Sequence, residues 1–143
     1  METDINIGYD RNIAARVNVA SGTLLTTLTP SIYKDNAYAF NVTLYDDWPT
    51  LSNCAGYTTL KTGIGKLGEA TPPLLEIDDG DHDKTFANVG SIIIHANAHS
   101  VALDTDLGTA SQKTYYLELN GNDGDDNTIM LIPLIVKNTV YNS

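Results

Sequence analysis

The sequence predicts an all-β fold, a sandwich of antiparallel strands. Apolar and polar residues alternate with period two from Tyr38 to Tyr45. Clusters of Asn, Asp, Gly and Pro punctuate the rest of the chain at short intervals. No longer segment carries a 3.6-residue apolar stripe, so roughly seven or eight short strands are expected, as in a sandwich or small barrel.

Residues 1–36 mix Ala, Val, Asn and Thr between Gly8, Gly22 and Pro30. They read as an extended N-terminal arm with one or two strands, whose apolar content implies docking on its own domain or on a neighbour, including oligomerisation, and residues 37–143 read as the β-sandwich domain. Tyr38, Phe40, Val42 and Leu44 alternate with Ala39, Asn41, Thr43 and Tyr45, the pattern of a half-buried strand. Asp46-Asp47-Trp48-Pro49 stops it. A second strand is expected between Leu51 and Lys61, ending near Gly63 and Gly65. Pro72-Pro73 restarts extended chain at Leu74, Leu75 and Ile77.

Asp78–Asp83 (DDGDHD) reads as an acidic loop, and Ser91–Ala96 (SIIIHA) as a β-branched strand. Asn97 is expected to turn that strand into Ser100–Leu103 as a tight hairpin, with Asp104–Gln112 as loop. Thr114–Asn120 and Ile129–Val136 flank GNDGDDN, a strand–turn–strand signal. Pro133 has no amide to donate, which places that last strand at an edge or on a bulge.

A chain of 143 residues fits one domain, and 42% hydrophobic residues suffice for a core. The net charge of −10 argues against nucleic acid and anionic lipid, whose affinity comes from Lys and Arg. Cys54 is the single cysteine, so no disulfide forms within the chain. The start METDINIGYDRN has no apolar stretch of the kind a secretory signal needs. The apolar run Ile129–Val136 is too short to span a bilayer.

The order of AYAFNVTLYDD (37–47), LSNCAGYT (51–58), TGIGKLG (62–68) and the closing hairpin YYLELNGNDGDDNTIMLIPLIVKNTV (115–140) resembles the baseplate upper protein-like and tail-fibre N-terminal domains of tailed bacteriophages. The resemblance spans residues 32–140. It departs from the family's corner at Leu51-Ser52-Asn53-Cys54-Ala55-Gly56, by an insertion and a displaced Gly. It implies an immunoglobulin-like sandwich in a virion, assembled as a trimer or larger with other copies and with neighbouring virion proteins, and without catalytic residues. The polar tail KNTVYNS reads as an exit strand.

The residues themselves assign no catalytic, cofactor-binding or metal-ligating side chain. Asp79, Asp81 and Asp83 imitate the start of an EF-hand, but Lys84 stands at the turn glycine and Gly90 at the bidentate Glu. Asn122, Asp123, Asp125 and Asp126 are turn residues. His95 and His99 lack the Glu and the helix of a zinc-protease motif, and are expected to face each other across a hairpin, in reach of His82 or an acid. No Gly-x-Ser-x-Gly elbow occurs, and Gly63–Gly68 lacks the spacing of a phosphate loop, so it reads as a bend. Asn41-Val42-Thr43 matches a glycosylation sequon inside a strand. The runner-up function is a carbohydrate-binding module of an adhesin or larger enzyme, using exposed aromatics, although Tyr38, Trp48 and Tyr116 are read first as core or corner residues of the sandwich.

Overall fold

A computed structural model describes residues 1–68, 73–86 and 90–140. Pro72 and the last three residues of KNTVYNS lie outside them. The strands run β1 (Thr3–Asp10), β2 (Ala15–Arg16), β3 (Ser31–Tyr33), β4 (Ala37–Asp47), β5 (Thr50–Leu51), β6 (Thr59–Gly65), β7 (Leu75–Ile77), β8 (His82–Phe86) and β9 (Ser91–Asn97). A short helix α1 (Val101–Leu107) follows, then β10 (Gln112–Asn122) and β11 (Asp126–Lys137). One sheet has the order β2-β1-β4-β9-β8, with β5 beside β4, and the other has the order β3-β11-β10-β6-β7.

The alternation in β4 does what it predicts. Tyr38, Phe40, Val42 and Leu44 are buried in the core, while Asn41 and Thr43 turn outward. From the facing sheet come Leu60 and Ile64, Tyr115, Leu117 and Leu119, and Ile132, Leu134 and Val136. The all-β sandwich expected from the sequence is the fold.

Two expectations need correction. The sheets are mixed rather than antiparallel: β1 runs parallel to β4 from Thr3 opposite Tyr38 to Asp10 opposite Tyr45, and β3 runs parallel to β11. Of the two destinations open to residues 1–36, the structure has them on their own domain: Ile7, Tyr9 and Ile32 enter the same core as β4. The hairpin expected at Asn97 is instead a loop into α1. Ser100 caps α1, its Oγ accepting from the Leu103 amide at 2.9 Å, and Gly108 ends it with a φ of 58°. Leu103 and Leu107, four apart, are fully buried, a gain of about 1.5–3 kcal/mol each that a hairpin would forgo.

Gly63 and Gly65 lie within β6, not at a bend after it. Pro133 pairs with Tyr116 on one side only, because β3 reaches β11 no earlier than Ile135, so the proline stands on a locally open edge with its side chain facing out; the same strand carries a bulge, Ile129 being extra between Thr128 and Met130. Lys137 at the end of β11 pairs with Tyr33, and Thr3 at the start of β1 pairs with Tyr38. The Tyr33 amide donates to the Tyr38 hydroxyl at 2.7 Å across the intervening turn. The first and last strands therefore meet the same end of the sandwich.

Candidate functional site

Three surface features gather polar side chains. The first is a groove of about 380 Å³ on the outer face of β6, β7 and β10. Gly63 and Gly65 leave its floor without side chains, and Pro73 lies over Gly63 so closely that a Cβ there would come within 2.7 Å of the ring. Tyr116, Glu118 and Asn120 of β10 form one wall, with Lys61 and Glu76 opposite. The Lys61 ammonium lies 3.5 Å from the Glu76 carboxylate. Asn120 Oδ1 is shielded from solvent and accepts no hydrogen bond. A second concavity, about 550 Å³, opens beside Arg11 and shares Leu131 with the first; the Arg11 guanidinium donates to the Tyr57 hydroxyl at 3.2 Å and faces Asp46 at 3.6 Å.

The second and third features are built on histidines. His95 and His99 do not face each other: one sits within β9 and the other beyond its end, and His82 lies elsewhere. On β9 the His95 ring is clamped from both sides, Nδ1 against Glu2 at 2.8–2.9 Å and Nε2 against Asp83 at 2.7 Å. Ala39, opposite His95 on the intervening β4, leaves room for Glu2 to reach across. Hydrogen bonds to Asp83 and Glu2 raise its pKa. His82 is half-buried; its Nδ1 lies 2.8 Å from the Asp78 carbonyl and must donate, so Nε2 accepts from the Thr62 hydroxyl at 2.7 Å. Burial lowers its pKa.

His99 has one engaged nitrogen. Nδ1 lies 2.6 Å from Asp35 Oδ1 and 4.0 Å from Asp104 Oδ2. The Asp35 bond raises its pKa. Asp35 takes a φ of 66°, which Asp tolerates, and its amide donates to the Ala98 carbonyl at 2.6 Å, while the Ala98 amide donates to Asn36 at 2.9 Å. These two bonds hold the β3–β4 turn against the residue preceding His99. Nothing in the local sequence joins Asp35 to His99, 64 positions later.

The two acidic segments do not converge as calcium sites. Asp79 Oδ1 accepts from the Leu60 amide at 2.6 Å, whereas Asp83 turns to His95. Around Asp123 the side chains satisfy the hairpin turn: Asn127 donates to Asp123 at 3.0 Å and Asn122 to Asp126 at 2.9 Å. The aromatics expected to bind or pack divide. Tyr38 is core. Trp48 donates through Nε1 to the Val19 carbonyl at 3.1 Å and packs on Gly22, pinning the N-terminal segment. Tyr116 alone of the three lines the groove. Asn41 donates to Asn6 at 3.1 Å across the outer face.

Lys66, which lines the groove, also meets Asp106 of α1, whose carboxylate accepts from it at 2.5 Å and from the core Tyr115 hydroxyl at 2.7 Å. Lys66 and Tyr115 hold the Asp106 carboxyl below its usual range, and burial with that carboxylate drives the Tyr115 phenol well up. No protein-family model matches the chain, and no curated protein aligns with it.

Proposed function

We propose that the chain is a non-catalytic attachment module on an immunoglobulin-like sandwich, working as a structural component of a phage virion in contact with other copies of itself and with neighbouring virion proteins. The sheet order supports the immunoglobulin-like part. β4-β9-β8 follow one another as strands B, E and D do, and β6-β10-β11 as C, F and G do. Tyr115, near the start of β10 and bonded back to Asp106, occupies the place of a tyrosine corner, although its partner is a side chain. The virion placement draws on the sequence resemblance.

The observation that carries the attachment role is the outer face of the β3-β11-β10-β6-β7 sheet. Tyr33 is exposed, and Leu131, Ile135 and Tyr116 are only half covered beside the glycine-floored groove. A single-domain surface of this kind suits contact with a partner. The folding of residues 1–36 onto their own core weighs against assembly through a free arm and moves the contact to this face. Sedimentation of the purified chain tests the reading: a trimer or larger is expected, dissociating in Tyr116→Glu. A monomer across a wide concentration range would overturn it.

A carbohydrate-binding module is the second reading, favoured by Asn120 Oδ1 lying unpartnered in a groove that also offers Tyr116 for stacking on a sugar. It predicts glycan-array signal that disappears in Tyr116→Ala and survives in Trp48→Phe. An array without signal would remove it.

A further inference from the structure

We propose that Asp35, His99 and Asp104 bind a first-row divalent metal ion, with zinc as the probe, at the end of the sandwich where β3 turns into β4. Among the described residues this is the one place where three His, Cys or acidic side chains bring ligand atoms together, all within 4.8 Å of one another. The donor set is an imidazole with two carboxylates, which suits zinc and its neighbours better than calcium, whose sites are all oxygen. Three protein ligands leave a position for water, as zinc sites with an open coordination position do.

The spacing is close to what an ion requires. Ligand atoms around a tetrahedral zinc at about 2.0–2.1 Å stand roughly 3.3 Å apart. Asp35 Oδ1 and the imidazole nitrogen, now 2.6 Å apart, need to separate by roughly 0.7 Å, and Asp104 Oδ2, now at 4.0 Å, needs to approach by about as much. Rotation of the half-exposed His99 ring and of the Asp104 carboxylate supplies both shifts.

A separate observation points the same way. Asp104 Oδ1 is shielded from water and has no hydrogen-bond partner. A carboxylate oxygen in that condition is costly unless something positive meets it. His99 makes no hydrogen bond to it. The carriers of the ligands are also fixed in advance: Asp35 by its backbone bond to Ala98, and Asp104 by a helix whose Leu103 and Leu107 are fully buried. Lys34, nearly buried beside His99, supplies the nearby positive charge and still leaves the cluster net negative when the imidazole is neutral. The His95 cluster is not equivalent, because its two carboxylates hold opposite nitrogens of the ring and face away from one another.

Calorimetric titration of the full chain with zinc chloride, in a non-chelating buffer near pH 7.5, tests the site. One zinc per chain is expected. Affinity should fall in His99→Ala and in the nearly isosteric Asp104→Asn by more than the roughly 10–100-fold that loss of an outer-shell partner costs. His95→Ala should bind as the parent does. Absence of zinc uptake overturns the proposal, and so does binding that survives both His99→Ala and Asp104→Asn, or that His95→Ala abolishes. Amide NMR spectra of the variants establish that each retains the fold.

Discussion

His95 and His99 are four residues apart and both keep company with two carboxylates, yet they are different devices. His95 sits mid-strand with an acid on each side of its ring, so both nitrogens are committed and the imidazole acts as a strut from Glu2 to Asp83 across three strands. His99 sits past the strand's end with both acids toward one nitrogen and Nε2 without a protein partner in the same network. The lesson is geometric. Carboxylates on opposite sides of a ring make a brace, and carboxylates on one side make a receptor.

The comparison breaks most severely where the receptor's foundation is removed. Leu103→Ala empties a fully buried position under α1 and should cost about 2–5 kcal/mol in denaturant unfolding. In the same variant the His99 titration should fall only slightly, because α1 carries Asp104 whereas Asp35, which chiefly raises it, is held by Ala98, and the His95 titration should not move. Equal loss at both rings would mean that the two clusters share one support.

Ser100→Ala is the milder version. Its Oγ caps α1 at Leu103 and donates to the Leu74 carbonyl at 2.7 Å, so the loss should be about 1 kcal/mol. An unchanged melting curve would show that the cap is redundant.

Glu2→Gln removes one side of the brace. Both partners are about one-third exposed, so the stability change should stay within about 1 kcal/mol, with the clearer readout a drop in the His95 pKa by NMR. The His99 titration should not move.

The pH dependence of stability is the subtlest test, because the three histidines oppose each other. His95 and His99 are raised above the ordinary 6.5. Their contribution is fully present below the unfolded value and is lost as pH rises through the raised folded values. His82 is lowered by burial, so its contribution is present above 6.5 and is lost as pH falls through its depressed folded value. Replacing His82 by Asn should therefore make stability less sensitive to acid, whereas Glu2→Gln should make it less sensitive to the rise from pH 6.5 upward. A His82→Asn profile that parallels the parent's would mean that Thr62 and Asp78 do not hold the ring neutral.

Much of the fold was legible because β4, β9 and the β10–β11 hairpin each carry their own period or turn. Tyr38 to Leu44 alternate, Ile92 and Ile94 are buried while Ile93 is half-buried, and the turn from Asn122 to Asp126 lies between its strands. What escaped depended on partners distant in sequence. β1 finds its place through a parallel ladder with β4, which leaves no turn between the two to read. α1 is only seven residues, too short for an apolar stripe to emerge, though Ser100 followed by Leu103 and Leu107 was a cap-and-face signal in plain view. The site was less legible still. His99 was singled out, but Asp35 and Asp104 reach it through a turn and a helix that no local pattern announces.

The shared end at which β1 begins and β11 finishes has a mechanical consequence. A load applied between the two does not draw whole ladders sideways at once. It peels them open from one edge, hydrogen bond by hydrogen bond, beginning beside Tyr33 and Tyr38. Single-molecule stretching should accordingly record a low unfolding force, and a high, abrupt rupture would mean that the load takes another path through the sheets.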